Sequence, residues 1–477
     1  MNHVKFVSDV LNLSLSAVLS LDELTKVSKA VSLLGEHNAT VYLVGGAVRD
    51  ILLGRKTKDI DFEVHGITLE QLDVVLRTLG HLNLIGKSFG VLRWEHSNID
   101  WAIPRTDASG RKPKVTLDPA LEIKQALMRR DLTVNAMAIN MHTGALVDPF
   151  NGSKDLNNKI ARSPNPQFFT EDPLRFYRVM QFIGRFDLEP DDELNAVCAT
   201  MNIADISAER IHGEFDKLFI YSAMPSRGIR WIEKIGRLHE VLPELATTVG
   251  VEQSPQWHPE GHVFEHIMEV VDAAAALTYE HDEQKLTILS AALCHDLGKP
   301  EATYVEKGRI RSTNHETIGL PKVKTLMKRI TGNKKRIDAV MKLVEFHMTP
   351  GDYAEHHASA GAFKRLALKL APQTNMQELA MLATADLQGR NPERSKPLTK
   401  VPEVITIFLS KAAEYGILLA PQPAVLTGAD LINYVGSSPL LGTMLHRAYE
   451  LQINEGMLDK EKLKKRVLEE FNDQIFR

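Results

Sequence analysis

The sequence predicts an α+β chain in which a head built on a small mixed sheet is followed by segments made almost wholly of helices. Three observations predict it. Between about residues 40 and 150, short runs rich in β-branched and aromatic residues recur, among them "TVYLV", "DIDFEV", "FGVLRWE" and "NIDWAI", with helical stretches between them. After about residue 170 such runs nearly vanish, and apolar residues recur at helical spacing between short breakers. The length of 477 residues, 44% hydrophobic and 25% charged, suffices for about three domains, each with a core of its own.

Taken in order, residues 1–37 read as a helical extension, with apolar residues spaced through "SLSAVLSLDELTKVSKAVSLL". Residues 38–150 are the head, 151–253 a helical neck and body, 254–395 a histidine-rich helical domain and 396–477 a helical tail. The Pro- and Gly-bearing stretches "SPQWHPEGH" and "GRNPERSKPLTKVP" mark two of these boundaries. No apolar run approaches the roughly 20 residues of a membrane helix, and no basic-then-apolar leader is seen. With only two cysteines, Cys198 and Cys294, far apart in sequence, the expected compartment is the cytoplasm. A formal charge of -4 does not announce a nucleic-acid partner; the basic runs at 322–329, 333–342 and 460–466 hint at one, but each reads more readily as a solvated helix face.

In the head, "VYLVGGAVRDILLG" takes an apolar strand into Gly45-Gly46 and then into a helix carrying Arg49 in its first turn. Glycines at such a turn let backbone N–H groups approach a phosphate closely, although most Gly-Gly turns bind nothing. "KDIDFEV" follows, and period-two alternation puts Asp59, Asp61 and Glu63 on one side and Ile60, Phe62 and Val64 on the other. That acidic side either faces water or holds a cation, and beside a phosphate cradle it is suited to Mg²⁺ shared with a nucleotide. Asp100, from the later "NIDWAI" strand, is either a third acid at that point or an exposed strand residue.

"GGAVRD", "KDIDFEV" and "RRDLTVNAMA", followed by "EDPLRFYRVMQFIGRF" and "ISAERIHGE", resemble the class II tRNA nucleotidyltransferases and the related bacterial poly(A) polymerases of the polymerase-β superfamily. The resemblance runs from residue 40 to about 395. It implies a polymerase-β-like head in which Asp59 and Asp61 bind catalytic Mg²⁺, Gly45, Gly46 and Arg49 hold the triphosphate, and Arg130 and Asp131 contact the incoming nucleotide. It also implies tRNA, CTP and ATP as partners.

In "EDPLRFYRVMQFIGRF", Asp172, Arg175 and Arg178 recur every three residues along one helix flank. A purely structural account makes Asp172 the N-cap and Pro173 the first helical residue, with Glu171 paired to Arg175. The resemblance implies instead that Asp172 and Arg175, with Arg178 beside them, read the edge of the base. Cytosine and adenine each offer an amine beside a ring acceptor, which uracil and guanine do not at that edge.

The second constellation begins at residue 262, with "HVFEHIMEV", "ALCHDLGK", "NHETIG", "VEFHMTP" and "ATADLQGR". His295-Asp296 sits in an apolar helical stretch, where an aspartate needs a partner, and Gly298 is expected to end that helix. With His266 and Asp386 these are ligands suited to Ni, Mn, Zn or Fe, and His315 and His347 are candidates for a second metal position. Of His262 and His266, at i and i+4, His266 is preferred because His262 opens the segment. The order of residues resembles the HD-superfamily phosphohydrolases, which implies hydrolysis of 2′,3′-cyclic phosphates and other phosphoesters.

The expectation is an enzyme that adds C, C and A to tRNA and carries a fused phosphohydrolase. Poly(A) synthesis or partial CC- or A-only addition stays open, as does a phosphohydrolase whose head only binds RNA. A nucleotide-regulated scaffold fits poorly with two full ligand sets. Oligomeric state is not legible.

Overall fold

The alternation in residues 58–66 becomes a central strand of the head. A computed structural model describes residues 19–57, 59–85, 90–107, 115–391, 398 and 400–475, so the expected helix over residues 1–18 and most of the 389–402 boundary lie outside the described residues. The chain divides into two compact units, Met1–Ile206 and Ser207–Arg477, a break inside the expected 151–253 segment.

In the first unit, a helix over Leu21–Glu36 starts at a capping box in which Ser20 and Glu23 satisfy each other's backbone N–H groups. The strands are β1 (Thr40–Val44), β2 (Ile60–His65), β3 (Leu82–Ile85), β4 (Val91–Trp94), β5 (Ile99–Ala102), β6 (Arg105–Asp107), β7 (Val115–Leu117), β8 (Ala138–Asn140) and β9 (Leu146–Val147). Seven of them form one sheet in the order β3-β4-β5-β2-β1-β8-β9, and β6 pairs with β7 apart from it. β2 runs antiparallel to β1 and parallel to β5, so the sheet is mixed as expected. On β2 the apolar side is sealed: Ile60, Phe62 and Val64 are buried, and Phe62 stacks on Trp101 of β5 with ring centroids 4.5 Å apart. The acidic side is thereby forced to the opposite face of the sheet.

The second unit is helical, and its centre is the helix Asp282–Cys294, which from Leu286 onward is buried on all sides among Val263–Ala275, Lys334–Phe346 and Met376–Gly389. Gly389 makes one of these packings possible, because a Cβ there would meet Val270 Cγ2 at 2.5 Å and Val270 N at 2.9 Å. Residues from Leu426 to Val467 close a separate apolar cluster around Met444 and Leu451.

The near-absence of strands after residue 170 needs correction. Thr303–Glu306 and Arg309–Ser312 form a hairpin, turned by Lys307 and Gly308, both at positive φ. Its two strands are largely exposed on both faces, which leaves no apolar alternation to read. Glu189–Pro190 also pairs, with Ile160–Ala161. Among the described residues no helix is long and apolar enough to cross a membrane.

Candidate functional site

In the head, β1 runs into Gly45, whose φ of 73° is open to glycine at little cost. The absence of a Cβ also leaves room for the tip of Arg130, whose Nη1 would lie 2.8 Å from one. Arg130 therefore lies against the Gly45-Gly46 turn, and its other terminal nitrogen is 3.7 Å from Glu63 Oε2 on β2. Asp61 stands opposite Asp100 in the β2–β5 register. Arg93 holds Asp100 through both carboxylate oxygens, at 2.5 and 2.8 Å. Glu63 accepts from His65 Nε2 at 3.0 Å.

Of the acids on this face, Asp61 has no ion pair among the described residues. Its carboxyl is pushed up by burial and, against the pull of Arg130, by Asp100 and Asp59. Asp59 is exposed at the end of β2. Two hard oxygen donors, crowded by like charge and open to solvent at one end, fit a Mg²⁺ ion.

Arg49 is buried rather than displayed at the turn. It donates to Asp50 Oδ1 from Nε and Nη2, at 2.9 and 2.8 Å, and from Nη1 to Asn135 Oδ1 at 2.5 Å, over the Phe186 ring. Asn135 in turn donates to Asp131 Oδ1 at 2.9 Å, and Arg178 donates to Asp131 Oδ2 from Nε at 2.6 Å. One hydrogen-bonded chain thus joins the Gly-Gly helix, the "RRD" loop and the helix Leu174–Phe186. Burial pushes the Asp131 carboxyl up, but Arg178 and Asn135 outweigh it and hold it down at about 2. Sequence reading missed Asp50 and Asn135, although Asn135 stands four residues after Asp131 inside the quoted motif.

The structural account of the Asp172 segment is half right. Asp172 Oδ1 accepts from Leu174 N at 3.1 Å, and Pro173 precedes the helix instead of opening it. Glu171 lies 3.6 Å from Arg129 rather than pairing with Arg175. Arg175 donates from Nη2 to Arg129 O at 2.6 Å and from Nη1 to Phe168 O, two of its five N–H groups. Two backbone carbonyls, one of which (Phe168 O) also accepts from Glu171 N, hold Arg175 in place of the Glu171 carboxylate.

In the second unit, His266, His295, Asp296, His315, His347 and Asp386 converge, all buried. His266 Nε2 lies 3.0 Å from Asp386 Oδ1, 3.2 Å from His295 Nε2 and 3.6 Å from Asp296 Oδ2. His315 Nε2 lies 3.3 Å from His347 Nε2 and 3.2 Å from Asp296 Oδ1. The candidate ligands therefore fall into His266/His295/Asp386 and His315/His347/Asp296, with Asp296 facing both groups. His295 and Asp296 reach this point because their helix ends at Cys294.

Gly298 does not end that helix; it precedes the short helix Lys299–Ala302 at ordinary φ. Its lack of a Cβ serves a close approach, since a Cβ would sit 2.0 Å from His315 O and 2.6 Å from Gly319 N. That contact brings the His315 segment against Asp296.

Ring tautomers follow from the backbone. His295, His315 and His347 each donate from Nδ1, to Ala292 O, Ser312 O and Val344 O, all at 2.8 Å. Their Nε2 atoms are then the lone-pair side, and only a proton or a metal cation keeps facing lone pairs apart. Burial, with His315 and His295 nearby, pushes His347 down to about 3, leaving it neutral and able to ligate. Lys299 Nζ, 2.7 Å from Asp296 Oδ2, and Arg390, 3.2 Å from Asp386 Oδ2, supply positive charge. Asp296 Oδ2 has no aligned hydrogen bond despite that neighbour. Buried imidazole and carboxylate donors in this arrangement fit a divalent transition metal. Lys299, Arg390, His258 and Glu260 were not singled out from sequence.

Residues 41–162 match the family described as the poly A polymerase head domain, 186–248 the probable RNA and SrmB-binding site of polymerase A, and 263–386 the HD domain. The chain is 32% identical over 399 residues to the multifunctional CCA protein of Hahella chejuensis, covering 81% of this chain and 90% of that one. Against the multifunctional CCA protein of Methylobacillus flagellatus it is 31% identical over 428 residues, covering 87% and 99%. The fold is similar to the Bacillus stearothermophilus CCA-adding enzyme in complex with CTP (TM-score 0.65, 17% identity, 96% of this chain and 99% of that one). It is also similar to the Thermotoga maritima CCA-adding enzyme complexed with tRNA (TM-score 0.59, 20% identity, 98% of each).

Proposed function

The chain belongs to the multifunctional CCA protein family, and we propose that it adds C, C and A to the 3′ end of tRNA from CTP and ATP by nucleotidyl transfer in the head. The observation that carries this reading is the like-charged Asp59 and Asp61, neither of them in an ion pair among the described residues, beside Arg130 and the Gly45-Gly46 turn. Asp59 and Asp61 would hold Mg²⁺, which supplies charge neutralisation for an attacking 3′-hydroxyl and a leaving pyrophosphate. Gly45 and Gly46 admit the triphosphate against the backbone, and Arg130 faces it. Arg49 orients the turn from behind through Asp50 and Asn135. Asp131 and Arg178 position the nucleoside, and Arg175, anchored on two carbonyls, keeps three N–H groups for the base edge beside Asp172. An aspartate acceptor and arginine donors together select an amine next to a ring acceptor, the pattern that C and A share; each good bidentate contact discriminates by about 1–3 kcal/mol.

The second unit supports a second reading, metal-dependent phosphoester hydrolysis, with 2′,3′-cyclic phosphates as the substrate class. His266, His295 and Asp386 would hold one divalent cation and His315 and His347 another, with Asp296 facing both; such ions supply a hydroxide from bound water near neutral pH. A cytoplasmic location accords with a chain whose two cysteines, Cys198 and Cys294, are both buried and lie far apart in sequence. The test assays both reactions on one preparation, with tRNA lacking its 3′ end and with 2′,3′-cyclic AMP plus divalent metals. Asp296→Asn should abolish hydrolysis and leave nucleotide addition intact. A wild type that hydrolyses nothing with any metal, or an active Asp296→Asn, would refute the second activity alone.

A further inference from the structure

Three of the four candidate ligand histidines of the second unit fix their tautomer with a backbone carbonyl three residues earlier. His295 and His347 do so at helix C-termini, where carbonyls lack helical partners, and His315 does so at the start of its own helix. His266 cannot. It lies inside Val263–Ala275, where the helix's own N–H groups occupy the carbonyls. In place of a carbonyl, its Nδ1 meets Glu260 Oε1 at 2.7 Å, a contact bent away from the ring N–H axis. Both side chains are fully buried.

The same Glu260 oxygen accepts from His258 Nδ1 at 2.9 Å, and the two imidazoles pack edge to face, 4.7 Å apart. The loop carrying them is fastened to the site: Gln253 Nε2 donates to Gly261 O at 3.1 Å, and Lys299 Nζ donates to Gln253 Oε1 at 2.6 Å. A carboxylate behind an imidazole does two things that a carbonyl does not. It adds a full negative charge and makes the far nitrogen more basic.

We infer that Glu260 is the positioning residue for His266, braced by His258, and that it makes the His266/His295/Asp386 position bind a divalent cation more tightly than the His315/His347/Asp296 position. The inference rests on the metal-binding reading of this cluster and adds an inequality between its two halves.

The test titrates the metal-free full chain with Co²⁺, followed by calorimetry and by the visible absorption of the bound ion. Wild type should take up two equivalents at the histidine cluster, the first more tightly, and Asp59→Ala, which removes a carboxylate of the head, should leave both unchanged. Glu260→Gln keeps shape and loses charge, and should weaken the first equivalent 10–100-fold, shift its absorption band and leave the second unchanged. Glu260→Asp, which restores the charge, should recover part of the loss. His258→Ala should weaken the same equivalent by less. A role in holding the fold alone would move melting temperature without singling out one equivalent.

Uptake by Glu260→Gln indistinguishable from wild type would overturn this inference and leave the metal reading standing. Wild type taking up no cation would overturn both. If Glu260→Gln does not fold, as nucleotide addition and melting would show, His258→Ala and Glu260→Asp carry the test. Wild-type affinity for the first equivalent in both would overturn the inference.

Discussion

Replacing Gly298 by Ala adds one methyl group, and the structure says where it must go. The new Cβ would stand 2.0 Å from His315 O and 2.6 Å from Gly319 N, both of them backbone atoms that cannot rotate aside. Ordinary contact begins at 3.4 Å, so the Lys299 and His315 segments must part by about 1.4 Å. Overpacking of this kind typically costs about 1–3 kcal/mol, and rigid backbone on the far side puts this case at the upper end. For a unit of this size that is a fall of roughly 6–12 °C in Tm. The chemical cost is larger than the stability cost. His315 Nε2 faces Asp296 Oδ1 at 3.2 Å, and a metal ligand must be held to within about half an ångström. Gly298→Ala should therefore lose cyclic phosphodiesterase activity and the weaker of two metal equivalents, while adding nucleotides to tRNA normally. Measured Tm, metal stoichiometry and both activities on one preparation decide it. A variant with wild-type hydrolysis and Tm would refute the close-approach account.

Asp59→Ala or Asp61→Ala should abolish CMP and AMP incorporation with Tm unchanged or raised, because either change relieves like-charge crowding; near-normal incorporation would sink the assignment. Arg175→Ala should both cost about 1–3 kcal/mol of stability, since Arg129 O loses its side-chain donor while Phe168 O keeps the Glu171 N–H, and raise UTP and GTP misincorporation. A destabilised but equally selective variant would reduce Arg175 to a loop anchor. Asp131, held at about 2 instead of 3.8, contributes roughly 2 kcal/mol of stability that is fully present above about pH 4 and is lost as pH falls toward 2. Acid denaturation of Asp131→Asn should start from lower stability and show a correspondingly shallower loss over that range, and an acid limb identical to wild type would contradict the pairing with Arg178.

Much of this was legible because the signals are periodic. Period two in "KDIDFEV" fixed which face of β2 is acidic, since burying Ile60, Phe62 and Val64 leaves the acids one place to go. The six buried candidates of the second unit were legible by residue type, as histidines and aspartates in apolar helical stretches. What failed had long-range causes. Gly298 carries a local signal for a helix end, but its reason is His315, far along the chain. The purely structural account pairs Arg175 with Glu171 on spacing, yet Arg175 donates to the carbonyls of Phe168 and Arg129 instead. Glu260 and His258 sit in "SPQWHPEGH", whose prolines and glycine read as a boundary; only the fold shows that the loop turns inward onto His266. The hairpin at 303–312 is short and largely exposed on both faces, Val305 included, so no buried apolar side announced it.

The claim on which the rest depends is template-independent selection of C and A by the head. The direct measurement incubates the wild-type protein with tRNA lacking its 3′ end, with each NTP singly and with CTP and ATP together, and resolves products to the nucleotide. The account predicts C added from CTP, a completed CCA end when ATP is also present, and no product from UTP or GTP. A ladder of A residues from ATP alone, equal use of all four nucleotides, or no extension at all would contradict it.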